Sequence, residues 1–240
     1  MTPSRNVFRA LAPICLLVMA GGCGENHPLG TGGYPDDGIV GHVYDAEGNP
    51  LADVAIGLVY EPVQPDPFAK PSTRIGFTIP EPGTVRILVR DLTGETVRTL
   101  ADGEMPAGSH SISWDSRDGS GHLAVNGLYF LSVEFEGSPI AEASVLINNF
   151  GPATIHERAN AVTDFQGYFC IPRELIPVGE IIQVVEFEEP VSRPISSLIK
   201  LETAGNVDGE PHYTYRFITL TAEMGRLMVD AVLSGTPIKN

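Results

Sequence analysis

Residues 163–172 read "TDFQGYFCIP". The segment reads as a tight turn, with Gln166-Gly167 at the bend where Gly tolerates positive φ, followed by a strand. Phe169 and Ile171 then alternate with Tyr168 and Cys170, the period of a strand. The stretch has the form of the closing half of a small β-sandwich unit. The residues just upstream supply no opening half, so the location of that half decides the architecture.

Strands are plentiful further upstream. In "GIVGHVYDAEGNPLADVAIGLVY" (38–60), Val40, His42 and Tyr44 alternate, "DAEGNP" turns the chain, and Val54, Ile56, Leu58 and Tyr60 alternate against Ala55, Gly57 and Val59. "EPVQPDPFAKPS" (61–72) holds four prolines, which fix φ and remove ladder donors, so it reads as an extended connection. Beyond it come Ile75, Phe77 and Ile79, then Val85, Ile87 and Val89, then Ile112 and Trp114, then Tyr129, Leu131, Val133 and Phe135. Turn clusters "PEPG", "DLTGE" and "DSRDGSG" separate them, and "EGSP" (136–139) closes the set. "EASVLINN" (142–149), "GEIIQVVEFEE" (179–189) and "YTYRFITLT" (213–221) are further strands. The tail "AEMGRLMVDAVLSG" (222–235) is open between two forms. Met224, Leu227, Met228, Ala231 and Val232 fit a helix with Thr221 as N-cap and Gly235 as stop, but Gly225 interrupts it, and a last strand is the alternative. With 26 Gly and 20 Pro in 240 residues and few helix-periodic runs, the expected class is all-β.

Two resemblances organise these strands. The segment from Pro65 to Phe135 carries "PF", "TRIGFTIP", "VRILVRDLTGETVRTL", "GSHSISWDSRDGSG" and "NGLYF" in order. It resembles the Ig-like domain related to that of the flagellar hook-capping protein, and equally the sorting domain at the C-termini of type IX secretion cargo. Its motif residues have structural reasons: Trp114 as the large core anchor, Asp115 and Asp118 bonding turn backbone, Gly119 and Gly121 supplying positive φ, and Gly127 opening the last strand. The second resemblance joins the opening stretch to its partner. "GIVGHVYDAEGNPLADVAIGLVY" and "AVTDFQGYFCIPRELIPVGE" are similar to the start and the middle of a carboxypeptidase-regulatory-like, transthyretin-like domain, with Gly167 in a hairpin turn and Phe169 in the core. The expected architecture is therefore two Ig-like/transthyretin-like β-sandwiches, one inserted into a loop of the other. Residues 38–61 and 138–235 form the host and residues 62–137 the guest, since insertions succeed at exposed loops.

The first residues are of another kind. Arg5 and Arg9 precede the apolar run Ala10–Ala20, a secretory signal pattern too short to span a bilayer. The run ends in Ala20-Gly21-Gly22-Cys23, which resembles a bacterial lipobox with Ala20 in place of the usual leucine. The resemblance implies removal of residues 1–22 and lipidation of Cys23, with residues 23–37 as a Gly-rich tether. Gly24 stands where a retention aspartate would, which points to the outer membrane; free secretion is the alternative. Loss of residues 1–22 removes two arginines and no acid, taking the formal charge from −15 to −17. Such a surface repels nucleic acid. Cys15 leaves with the signal and Cys23 is lipidated, so Cys170 is expected as a buried, inert thiol with no disulfide available.

Chemistry is sparse in the pattern. His27, His42, His110, His122, His156 and His212 show no metal-ligand spacing, and no nucleophile elbow, phosphate loop or dinucleotide fingerprint occurs. Asp115 and Asp118 near a Gly turn are a calcium candidate without the alternating oxygen ligands and distal Glu of a strong loop. Glu186, Glu188 and Glu189 read as a solvated strand edge. No cofactor and no catalysis is expected. The expected role is a noncatalytic cell-envelope lipoprotein, held to the membrane by Cys23, that presents its sandwiches for structural or adhesive contacts with envelope or surface proteins. The alternatives are a surface protein whose Ig-like domain serves type IX-like sorting or anchoring, and a carbohydrate- or metal-binding accessory of an envelope enzyme.

Overall fold

The computed structural model describes residues 37–60, 74–148, 151–152, 155–186, 189–221 and 223–234. The signal and tether segments, Cys23 and the proline-rich connection lie outside the described residues. Among the described residues sixteen strands run in chain order: β1 Gly38–Tyr44, β2 Ala55–Tyr60, β3 Arg74–Ile79, β4 Gly83–Arg90, β5 Thr96–Met105, β6 Gly108–Ser113, β7 Gly127–Phe135, β8 Ser138–Ile147, β9 Ala161–Val162, β10 Tyr168–Pro172, β11 Ile181–Glu186, β12 Glu189–Pro194, β13 Leu198–Val207, β14 Glu210–Thr219, β15 Arg226–Met228 and β16 Ala231–Val232. Among the described residues the only helical segments are two short 3-10 turns, Ile155–Glu157 and Arg173–Leu175. The protein is all-β, and one sandwich interrupts the other.

The guest packs the ribbon β3-β6 against the sheet β5-β4-β7-β8. Its core collects Ile75, Phe77, Ile79, Val85, Ile87, Val89, Tyr129, Leu131 and Val133 around Trp114. The Trp114 ring is 2% exposed, meets Tyr129 edge-on at 5.0 Å, and donates its Nε1–H to the Arg117 carbonyl at 2.7 Å. The host has one sheet of order β14-β13-β2-β9 and another in which β1 lies between antiparallel β10 and parallel β15 and β16. A separate hairpin, β11-β12, places Glu186 opposite Glu189. The opening stretch and its proposed partner do share one core: Phe169 and Ile171 of β10 pack with Ile39 and Val43 of β1 and with Ile56, Leu58 and Tyr60 of β2.

Several expectations need correction. Ser138–Ile147 pairs along its length with β7 and so belongs to the guest sheet, not the host. "EGSP" is not a domain junction; Glu136 (φ 47) and Gly137 (φ 76) are the two central residues of a β7–β8 hairpin turn, both in the left-handed region that tight hairpins need. The turn before β10 is not a hairpin either, because β9 pairs with β2 and β10 with β1, so the chain changes sheets there. The tail, left open between helix and strand, is strand: Val229, Ala231 and Leu233 are buried at period two, and Val229 and Leu233 donate to the Val40 and Tyr44 carbonyls at 2.8 Å. Gly119 does not have positive φ; Ser116 (φ 58) and Gly121 (φ 89) do. Cys170 is disulfide-bonded in the unprocessed chain; the thiol expected of it belongs to the form that has lost Cys15 and carries lipid on Cys23, and both of those cysteines lie outside the described residues.

One turn is used four times. In Asp45–Asn49, Asp91–Glu95, Asp118–His122 and Asp164–Tyr168 the first Asp accepts the N–H groups of the third and fifth residues on one carboxylate oxygen, at 2.7–3.0 Å. The fourth residue is Gly, with φ between +74 and +89. At Gly167 the left-handed backbone is combined with a close approach, since a Cβ there would meet the Val43 carbonyl oxygen at 2.6 Å.

The two sandwiches meet along the edge of β2. Its partner β9 covers only Ala55 and Ile56. Beyond that, asparagine amides take the place of a strand. The Leu58 N–H donates to Asn160 Oδ1 at 2.8 Å, and the Leu58 carbonyl accepts from Asn126 Nδ2 at 2.9 Å. The Tyr60 N–H donates to Asn148 Oδ1 at 2.9 Å, and its carbonyl accepts from Asn148 Nδ2 at 3.1 Å. Asn126 and Asn148 belong to the guest, so the host's last residue before the excursion is bonded to the guest's first residue after β8. Asn160 Nδ2 and the Arg158 guanidinium also donate to the Asn126 and Ala124 carbonyls, at 2.7 and 2.8 Å. Leu128 and Leu146 of the guest join the host core, which closes the joint with apolar surface.

Two outcomes are expected. Gly167→Ala lowers the urea-unfolding free energy of the host by about 3 kcal/mol, whereas Gly48→Ala, also left-handed but with open space, costs about 1 kcal/mol; equal losses would show that the contact with Val43 is irrelevant. Asn148→Leu leaves the Tyr60 N–H and carbonyl without partners and costs about 2–4 kcal/mol, with faster amide exchange at Tyr60 than in the wild type.

Candidate interaction surface

The motif residues of the guest all serve its interior or its turns. Asp115 Oδ1 accepts the Arg117 N–H at 3.1 Å and lies 3.6 Å from Arg98 Nη1. Asp118 accepts two backbone N–H groups on Oδ1, and its Oδ2 faces His122 Nδ1 at 3.4 Å. Arg98 also donates to the Asp118 carbonyl at 3.0 Å and Gly119 N–H to Val97, tying the loop to β5. Among the described residues no group of three or more His, Cys, Asp or Glu is placed to hold a metal. The backbone N–H groups that both aspartates accept make them turn residues. Gly127 is buried at the start of β7 and Phe169 lies in the host core. Among the described residues no helix is long and apolar enough to cross a membrane.

The surface that stands out lies on the host, on β13 and β14. Residues directly opposite in an antiparallel pair share a face, and the register sets Lys200 beside Phe217, Glu202 beside Tyr215 and Ala204 beside Tyr213. Tyr213, Tyr215 and Phe217 form a ladder of rings with centroids 6.3 and 6.1 Å apart. Tyr215 and Phe217 are each 53% exposed, and Leu198 continues the apolar patch. Lys200 Nζ sits 4.6 Å above the Tyr215 ring.

Beneath this ladder is a buried carboxylate, which sequence reasoning missed. Glu202 is 1% exposed. Its Oε1 accepts from the Tyr213 hydroxyl at 2.6 Å and from Lys200 Nζ at 2.7 Å, while Oε2 accepts the Gly151 N–H at 3.0 Å. A buried charge persists only when paired and hydrogen-bonded in this way. Burial, then the bond to Glu202, pushes the Tyr213 hydroxyl well above the usual phenol range. The network pins the returning chain at Gly151, and Ile155 then packs over Ala55 and Ala204 on the same sheet face. Its chemistry is that of a structural tie: every acceptor is engaged, and the carboxylate is shielded from solvent.

β14 is also an edge. Leu58 and Tyr60 send their backbone groups away from β13, so the residues opposite them, Leu201 and Ile199, bond toward β14, to Arg216 and Ile218. Tyr213, Tyr215 and Phe217 consequently present their N–H and carbonyl groups outward, and no described residue pairs with them. Below the edge, Thr203, Thr214, Arg216 and Asp230–Val232 line a groove of about 210 Å³, into which the Arg216 guanidinium donates to the Asp230 carbonyl at 2.9 Å.

Residues 68–138 match the FlgD Ig-like domain family. The match covers less than half of the chain, and β8 extends the guest beyond it. No curated protein matches the chain. Among solved structures, that of FLGD from P. aeruginosa aligns at 14% identity over 73% of this chain and 89% of that one, with a TM-score of 0.21. That residues 68–138 are similar to a FlgD Ig-like domain is what the comparisons establish.

Proposed function

We propose that this protein is a noncatalytic cell-envelope lipoprotein that presents a pair of joined β-sandwiches for protein contacts. The observation that carries the contact role is the half-exposed ladder of Tyr215, Phe217 and Leu198 on an unpaired strand edge. Apolar rings clustered on a chain of net charge −15 are costly to leave in water unless they meet a partner. The likeness of residues 68–138 to a FlgD Ig-like domain supports a structural module over an enzyme. The host interrupted by that module is assigned to the carboxypeptidase-regulatory-like class on the strength of "GIVGHVYDAEGNPLADVAIGLVY" and "AVTDFQGYFCIPRELIPVGE". A sorting role for the guest is disfavoured because the whole second half of the host follows it.

Anchoring is assigned to Cys23, on the lipobox-like Ala20-Gly21-Gly22-Cys23. Two acyl chains at the new N-terminus hold the body stably at a membrane. A thioether at Cys23 and a disulfide at Cys23 exclude each other, since each uses its one sulfur. With Cys15 removed with the signal, the lipidated form carries Cys170 as a thiol. In cells fed labelled palmitate, the wild type is expected to carry label and to sediment with membranes, and Cys23→Ser to lose both. Cys170 of the membrane-bound chain should react with maleimide after denaturation without reductant. An unlabelled chain whose Cys170 is blocked would overturn the lipoprotein reading.

A further inference from the structure

The outward edge of β14 is self-complementary, and we propose that it pairs with β14 of a second copy of this chain. Three of the residues that offer free ladder groups, Tyr213, Tyr215 and Phe217, are also the three rings of the ladder. They are spaced evenly about Tyr215. An antiparallel pairing with Tyr215 on the two-fold axis sets Tyr215 against Tyr215 of the second copy and Tyr213 against Phe217 at both ends. Every outward N–H and carbonyl of the three then finds a partner, and each ring meets an aromatic ring across the new pair, a favourable cross-strand arrangement.

Neighbouring registers are worse for stated reasons. Centring on Tyr213 puts Pro211 opposite Tyr215, and proline has no N–H to give. Centring on Phe217 puts Tyr215 opposite Thr219 and abandons the aromatic pairs. The register about Tyr215 places Arg216 opposite Thr214, so no like charges face each other along the strand. A long edge with open backbone groups is the feature that natural sheets cover or blunt. Pro211 blunts only its first outward position, leaving the aromatic stretch available. The resulting contact is isologous and closes on itself, giving a dimer rather than a filament.

This deepens the contact role proposed above and rests on it, while the anchor is read by palmitate labelling, so either can fail alone. The test is the mass of the full chain purified in detergent, by light scattering, together with cysteine cross-linking. The wild type is expected to be a dimer, and Tyr215→Lys to raise the dimer dissociation constant at least about tenfold with an unchanged β circular-dichroism spectrum. Under mild oxidation Tyr215→Cys should give a covalent dimer, because a hydrogen-bonded antiparallel pair holds its Cα atoms about 5.5 Å apart, within disulfide reach. Thr219→Cys, opposite Pro211, should give no more than the wild type. A monomeric wild type at about 100 µM, or equal cross-linking at positions 215 and 219, would overturn the pairing.

Discussion

The two-point bond between Tyr60 and Asn148 holds the architecture together. At Tyr60 the host sheet stops and the chain departs for the guest; at Asn148 the guest sheet has just ended. One amide satisfies both backbone groups of Tyr60, as a neighbouring strand would. The same bond keeps the guest's entrance and exit side by side, the condition under which a foreign module can occupy a loop without opening its host. Asn126 and Asn160 repeat the device at Leu58. The edge of β2 is therefore completed by side chains from both modules, and each module depends on the other for its boundary.

That dependence extends into the apolar layer. β7 has two working faces. Tyr129, Leu131 and Val133 fill the guest, while Leu128 on the other face enters the host core and Phe130 packs against it. A strand buried on both sides reads as a near-continuous apolar run, and "GLYFLSV" is broken only by Ser132. The guest is thus more than a bead threaded onto a loop, since its sheet supplies one wall of the joint.

Most strands were legible in the residues because a buried face at period two leaves a pattern, but β13 was not read as one, since its buried run from Leu201 to Gly205 shows no alternation; the turns at Asp91 and Asp118 were legible because Asp and Gly suit those positions. Trp114 and Phe169, expected in cores from the motifs that hold them, lie there. What was hidden is what depends on distant partners. Asn126, Asn148 and Asn160 look like ordinary loop polar residues until β2 lies beside them. Glu202 sits at an alternating strand position where a charge is ordinarily solvated, and only the fold brings Tyr213, Lys200 and Gly151 onto it. β8 was misassigned because "EGSP" carries the same residue types as a linker. In the tail, Met224 and Leu227 satisfy a helical period while Val229, Ala231 and Leu233 satisfy a strand period, and pairing with β1 selects the second.

The parallel pairing of β15 and β16 with β1 has a kinetic consequence. The last described strands of the chain lie against the first, so the host's first sheet cannot be finished until nearly all of the chain has emerged. The guest's six strands are consecutive, and its pairings span far shorter loops. Short-range topology forms early and long-range pairing late. The guest is therefore a nucleus that can mature while β1 and β2 still wait for their partners. During that wait the asparagine edge, already half supplied by the guest, gives β2 a first surface on which to order.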